Sequence, residues 1–191
     1  MKLSSLVNIN KLYLKKIKKN ELEKLRNERN SHEVRKKMLN QEIISKKKQL
    51  IWFKEISKSK NNDYFNIYYE KELIGSGSLK KINKRNKNCL WGFYIFRNFM
   101  GPYGVISEFK IIDRAFTKYK LDKIYGYTLA NNSSILKVHK FFKFKIEGVL
   151  KRHVLSDSTK QDLIITSLFK KDWKKTRRQF LKKIKCKNYS A

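Results

Sequence analysis

Residues 89–109 read "CLWGFYIFRNFMGPYGVISEF", and the pattern changes character twice. "NKNCLWGFYI" (86–95) is an apolar, aromatic run after a charged turn, which predicts a strand. "FRNFMGPYG" (96–104) holds the only proline and two of the seven glycines, which predicts a loop. From Val105, Ile106, Phe109, Ile112, Ala115 and Phe116 recur at helical spacing through "VISEFKIIDRAFTKYK" (105–120). A strand that turns over glycines into a long helix leaves free N–H groups and a positive dipole end at the loop. Gly101 and Gly104 would allow a phosphate or pyrophosphate to approach the backbone there. An ordinary strand-to-helix turn carries the same Gly-x-x-Gly.

Working outward, "NINKLYLKKI" (8–17) alternates and predicts a first strand. "NELEKLRNERN" (20–30) predicts a helix capped by Asn20, and "ISKKKQLIWFKEI" (44–56) a second, capped by Ser45 with Leu50, Phe53 and Ile56 on one face. "SHEVRKKMLNQEI" between them reads as irregular. In "DYFNIYYEKELIGSGSLKKI" (63–82), Phe65, Ile67 and Tyr69 alternate, "EKE" turns, and Leu73 to Leu79 return as a hairpin. After the long helix come a strand "DKIYGYTL", a helix "NSSILKVHKFF", and two strands, "FKIEGVLKRHV" and "QDLIITSLF". This order gives α+β, without the regular alternation of a doubly wound fold. Residues 1–173 read as one domain, and 174–191 as a basic tail, helical at first and then frayed.

The 191 residues suffice for one domain with a real core. The formal charge of +31 suggests a polyanionic partner. Yet 38 of the 47 cations are Lys, spread along the chain, and Lys, Asn, Ile, Tyr and Phe make up about half of it. All five have AT-rich codons, so biased base composition explains the charge without a specific nucleic-acid partner. Cys89 and Cys186 form no CxxC, and His32, His139 and His153 are scattered, so the expectation is reduced thiols, a cytoplasmic setting and no metal. No apolar run is long enough for a membrane span, and the start "MKLSSLVNINKLYL" lacks a signal-peptide pattern.

Two further segments carry chemistry. In "ANNSSILKVHKFFKF" (130–144), Asn132 opens a helix and His139 lies on its inward stripe with Ile135, Val138 and Phe142. His139 reads either as a core histidine with a satisfied hydrogen bond or as a general acid near a strand pair. In "RNERNSHEVRKKML" (26–39), Arg29 and Arg35 surround a loop reaching Met38, and they read either as solvated or as lining a pocket for an anion.

Together, these segments and the element order resemble the GNAT superfamily of acyl-CoA-dependent N-acyltransferases. Within it, "ERNSHEVRKKMLNQEIISKKKQLIWF", "LDKIYGYTLANNSSILKVHKFFKFKIEGVLKRHV" and "DLIITSLFKKDW" look like the aminosugar N-acetyltransferases of the pseudaminic acid pathway. The resemblance spans about residues 9–173. It implies a central mixed, mostly antiparallel twisted sheet flanked by helices. It implies acetyl-CoA as acetyl donor, a UDP-linked aminosugar acetylated at its 4-amino group, and leaves a homodimer open.

Residue by residue, the resemblance implies that Tyr94 and Ile95 offer backbone bonds to the pantetheine arm, beside a strand bulge near Tyr94 that polarises the thioester. Gly101 to Val105, with Tyr103 and Gly104, would hold the pyrophosphate. Asn132 and Lys140 would contact the cofactor, and His139 would stand where many relatives carry the tyrosine that protonates the departing thiolate. Arg29, Asn30, Met38, Gln49 and Trp52 fall in the nucleotide-sugar segment. The sequence departs from the family at Gln49, where a histidine is common, at Tyr127, where a glutamate is, and at Lys143, where a glycine is. Gln49 cannot act as a base, so a water or a pocket carboxylate such as Glu108 or Asp113 would take the ammonium proton. The competing readings are a GNAT enzyme acting on a protein N-terminus, as of a ribosomal protein, and a non-catalytic basic RNA-binding protein on a GNAT scaffold.

Overall fold

The computed structural model describes residues 7–156 and 159–187. The order is β1 (Leu12–Lys16), α1 (Leu22–Asn30), α2 (His32–Arg35), α3 (Lys46–Lys58), β2 (Asp63–Tyr69), β3 (Glu72–Asn83) and β4 (Asn88–Ile95). Then follow α4 (Pro102–Thr117), β5 (Lys123–Leu129), α5 (Ser133–Phe141), β6 (Lys145–Ser156), β7 (Thr159–Phe169) and α6 (Lys170–Lys187). One seven-stranded sheet runs β1-β2-β3-β4-β5-β7-β6. Every neighbouring pair is antiparallel except β4–β5. A parallel join needs a crossover, and α4 supplies it. The α+β class and the mixed, mostly antiparallel sheet expected from the sequence are observed.

The sheet buries both faces. Alternation along β2 sends Phe65 and Ile67 to a core shared with α4, α5 and α6, and Tyr68 to a second core under α1 and α3. Val105, Ile106, Phe109, Ile112, Ala115 and Phe116 are buried as the helical spacing requires. Ser107, Glu108 and Ile111 are buried as well: Ile111 faces Gly77 of β3 and Glu108 faces His139 of α5, while α6 covers Phe109 and Asp113 on another side of α4. Phe109 stacks on Phe180 at 4.6 Å and meets Trp173 at 5.1 Å. Asp113 accepts from Arg177 Nε at 2.7 Å and from Trp173 Nε1 at 3.1 Å. α6 therefore crosses the boundary drawn at 173/174, and Phe180 beyond it is part of the core. Residues 1–6 and the last four of the expected tail lie outside the described residues.

Several local expectations are corrected. Asn20 lies inside a 3-10 turn, Lys19–Glu21, and caps nothing; the Glu21 carboxylate instead accepts the Lys18 N–H at 2.8 Å. The supposedly irregular segment holds α2. α3 turns Gln49, Trp52, Phe53 and Ile56 inward, an i, i+3, i+4, i+7 face, and leaves Leu50 exposed. Ser45 caps α3 as expected, accepting the Lys48 N–H at 3.1 Å. The long helix begins at Pro102, whose fixed φ and missing N–H suit a first turn. The β3–β4 register is continuous from Gly75–Ile95 to Lys80–Leu90, so there is no bulge at Tyr94. Bulges lie instead between Ile67 and Tyr68 and between Lys80 and Asn83.

Candidate active site

β4 and β5 pair only over Asn88–Lys123, Cys89–Ile124 and Leu90–Tyr125, and then part. The parting begins where Trp91 bears on Gly126: a Cβ on Gly126 would lie 3.0 Å from the indole Nε1 and 3.3 Å from the Trp91 carbonyl. Beyond this point the β5-facing edge of β4 has no strand partner, so its backbone groups open into a cavity of about 1490 Å³. Its floor is the split. One end is the start of α4, and the other runs under α1, the Met38–Ile44 loop and α3.

At the α4 end, Gly101 has φ 88°, a conformation that glycine takes without the Cβ penalty. The Tyr103 and Gly104 N–H groups in the first turn have no helical acceptor. Gly101, Gly104 and Val105 line the cavity, with Tyr94 and Ile95 on one side and Asn132 and Lys140 on the other. Asn132 does not cap α5 through its side chain; its Oδ1 accepts from Ser134 Oγ at 3.0 Å, which leaves its amide N–H groups to the cavity. An open strand edge leading to a glycine-based helix start beside lysines fits a thioester arm ending in a pyrophosphate, so the chain's own residues suit acetyl-CoA. Tyr103 does not line this space. It packs edge-on against Tyr69 and Phe99 and fixes the helix start from behind.

His139 lines the cavity where the strands part, and it is 5% exposed. Its ring stacks on Phe144 at 4.5 Å and tilts against Trp91 at 5.7 Å. Nδ1 lies 3.3 Å from Thr166 Oγ1, and Nε2 lies 3.7 Å from Glu108 Oε1. Burial pushes its pKa down to about 4, so the imidazole is neutral at pH 7 and is not an imidazolium acid. Burial pushes the Glu108 carboxyl well above the ordinary range. Asp113 is committed to Arg177 and Trp173 and is removed from the cavity, so it is no candidate base.

At the other end, Arg29, Met38, Gln49 and Trp52 line the wall as the sequence suggested. Arg29 Nη2 donates to the Asn40 carbonyl at 2.6 Å and Arg35 Nη1 to the Gln41 carbonyl at 3.0 Å, holding the loop over the cavity. Arg29 Nη1 is buried without a partner. Burial first, then the neighbouring Arg35 charge, lowers the Arg29 pKa. Asn30 is not on the wall: its side chain exchanges two bonds with the Ile44 backbone, at 2.8 and 2.9 Å, and so anchors the loop.

Sequence reasoning missed Trp91, Ser76, Lys37, Lys48, Lys80 and Lys137, all on the wall. Trp91 had a signal in its place just before the glycine loop, and its Nε1 is buried without a partner. The lysines had none, being a few among 38 in the sequence. Glu42 is the sole carboxylate on the wall among the described residues, and it pairs with Lys48 at 3.2 Å. Tyr127 lines the cavity and is 41% exposed. Lys143 turns the α5–β6 corner at φ 69°, a left-handed conformation that favours glycine.

The acetyltransferase (GNAT) domain pattern matches residues 14–165. The fold is similar to that of a spermidine N-acetyltransferase from Vibrio cholerae solved with CoA and spermine, with TM-score 0.81 and 18% identity over 86% of this chain and 98% of that one. It is also similar to a structure described as a probable acetyltransferase, with TM-score 0.73 and 19% identity over 87% of this chain and 98% of that one. A dodecameric form of the Vibrio cholerae enzyme matches with TM-score 0.72 and 19% identity over 86% of this chain and 96% of that one. With most of the chain inside that domain pattern and the split sheet opening on a glycine-led helix, the protein belongs to the GNAT family and is an acetyl-CoA-dependent N-acetyltransferase.

Proposed function

We propose that the chain acetylates the 4-amino group of a UDP-linked aminosugar, as the resemblance to the pseudaminic acid branch implied, in a cytoplasmic setting. The observation that carries this is the charge of the acceptor wall. Arg26, Arg29, Lys37, Lys48 and Lys80 line it, against the single, already paired Glu42. A diphosphate-linked acceptor meets complementary charge there. Spermidine, the substrate named for the structural neighbours, is a polycation and meets like charge, which costs about 1–4 kcal/mol per close unpaired contact at effective dielectrics of 80 to 20.

The residues divide the task. Trp52 and Met38 would give the acceptor an apolar rest, and the Arg29 guanidinium on the wall would attract a phosphate oxygen. Acetyl-CoA brings an activated acetyl thioester, with its pyrophosphate held at Gly101–Val105 and its arm along Tyr94 and Ile95. Holding both reactants in one split converts an encounter into a positioned attack. With no bulge at Tyr94, polarisation of the carbonyl falls to the unpaired N–H groups of the open β4 edge. His139 would stand beside the departing sulfur as a neutral ring and not as a proton donor.

Arg29→Ala tests the acceptor assignment. It is expected to raise KM for the nucleotide sugar about 10-fold or more, with KM for acetyl-CoA unchanged. Equal rises in both constants would contradict the assignment.

A further inference from the structure

Glu108 is a fully buried carboxyl, 0% exposed, and neither of its oxygens has a hydrogen-bond partner. An unpaired buried polar group costs about 1–3 kcal/mol or more. Its Oε1 faces Nε2 of His139 at 3.7 Å, and the other ring nitrogen faces Thr166 Oγ1 at 3.3 Å. The imidazole also packs against Trp91 from β4 and Phe144 from the α5–β6 corner, neither of which titrates. No charge on α4, α5, β4 or β7 shifts either group; burial alone acts on both.

We propose that Glu108 and His139 form one net-neutral buried pair, in which Glu108 keeps its proton and presents it to His139 Nε2, fixing the imidazole as the Nδ1–H tautomer that donates to Thr166. The hydrogen bond requires the 3.7 Å separation to shorten to about 3 Å. The neutral arrangement is favoured because two charges in this site would lose their water. Glu108 is then a positioning residue. It sets the tautomer and orientation of the imidazole that lines the cavity, and it does not touch the reactants. The role of His139 in turnover rests on the acetyltransfer reading above; the tautomer does not.

The pair has a linkage signature. The folded pair holds one proton, on Glu108. In the unfolded chain between about pH 4.5 and 6.5 the two residues also hold one, on the histidine. Folding therefore exchanges no proton in this window, and the pair contributes no slope. With Glu108→Gln, only the depressed histidine remains, so stability falls as pH drops from about 6.5 towards 4. With His139→Phe, only the raised carboxyl remains, so stability falls as pH rises above about 4.5.

The experiment combines nitrogen-15 NMR of the imidazole with urea unfolding across pH, on the full chain and three variants. The free protein is expected to show a non-titrating Nδ1–H imidazole near neutral pH. Glu108→Gln keeps that tautomer, because an amide N–H can also donate to Nε2, while Glu108→Met releases it and raises the melting temperature. In turnover, Glu108→Met is expected to lower kcat by about 10-fold with KM for acetyl-CoA unchanged, and Glu108→Gln to recover most of the loss. An imidazole in the free protein that titrates near its ordinary pKa, or that carries Nε2–H, overturns the proposal. So does a Glu108→Met protein with an unchanged tautomer. If the NMR and unfolding results hold while no UDP-aminosugar is acetylated, the pair stands and the acceptor assignment fails.

Discussion

Truncating Phe180 to alanine is expected to cost the fold about 3–5 kcal/mol. The side chain is 1% exposed, and its ring lies 4.6 Å from Phe109, 5.4 Å from Phe142 and 6.0 Å from Phe141. Burial of the ring alone is worth about 1.5–3 kcal/mol. The aromatic pairs add about 0.5–1.5 kcal/mol each. The hole left behind cannot collapse easily, because α4 behind it is pinned to the sheet. Domains of this kind are stable by about 5–15 kcal/mol in total, so one side chain near the C-terminal end carries a sizeable share. At about 2–4 °C per kcal/mol, the melting temperature should drop by roughly 6–20 °C. Urea unfolding followed by tryptophan fluorescence measures the loss, with exposed Arg178→Ala as a control expected within about 0.5 kcal/mol of wild type. A Phe180→Ala protein within about 1 kcal/mol of wild type would refute the account of α6 as part of the core.

Two further outcomes follow from the backbone and the charge network. Lys143→Gly, at φ 69°, should raise stability by about 0.5–1 kcal/mol, since the left-handed penalty of about 1–2 kcal/mol exceeds the extra entropy glycine loses; thermal melts read it. At Asp63, burial alone would raise the pKa, but bonds from Arg114 Nε and Tyr119 Oη, both 2.7 Å, reverse this and hold it below the usual carboxylate value. That stability is present above the unfolded pKa of about 3.9 and lost as pH falls through the folded one, so the deficit of Asp63→Asn at neutral pH should shrink below about pH 4.

The fold was legible where side chains alternate or recur on a fixed period. Phe65 and Ile67 and the Ile106–Phe116 stripe sit where their patterns put them, and Gly101 marks the turn, although α4 takes in Pro102 to Gly104. The failures have local physical causes. Leu50 looked inward because it is apolar, but the cavity takes Gln49, one residue earlier, and turns the helix face with it. Phe180 was hidden among lysines, because Trp173 and Phe180, about two turns apart in a basic helix, give little periodic signal. The split between β4 and β5 has no periodic signature, since it depends on Trp91 meeting Gly126 across the sheet. The pair Glu108–His139 joins residues 31 positions apart, on two helices that only the folded sheet brings together.

The central claim is an acetyltransferase whose acceptor is anionic, and competition between acceptors tests it most directly. The enzyme would be given acetyl-CoA with a UDP-4-amino-4,6-dideoxy sugar and spermidine in one vessel, with both acetylated products quantified by mass spectrometry. The account predicts acetylation of the nucleotide sugar with kcat/KM at least about 10-fold above that for spermidine, an advantage that narrows as salt screens the basic wall. Preferential acetylation of spermidine would contradict it.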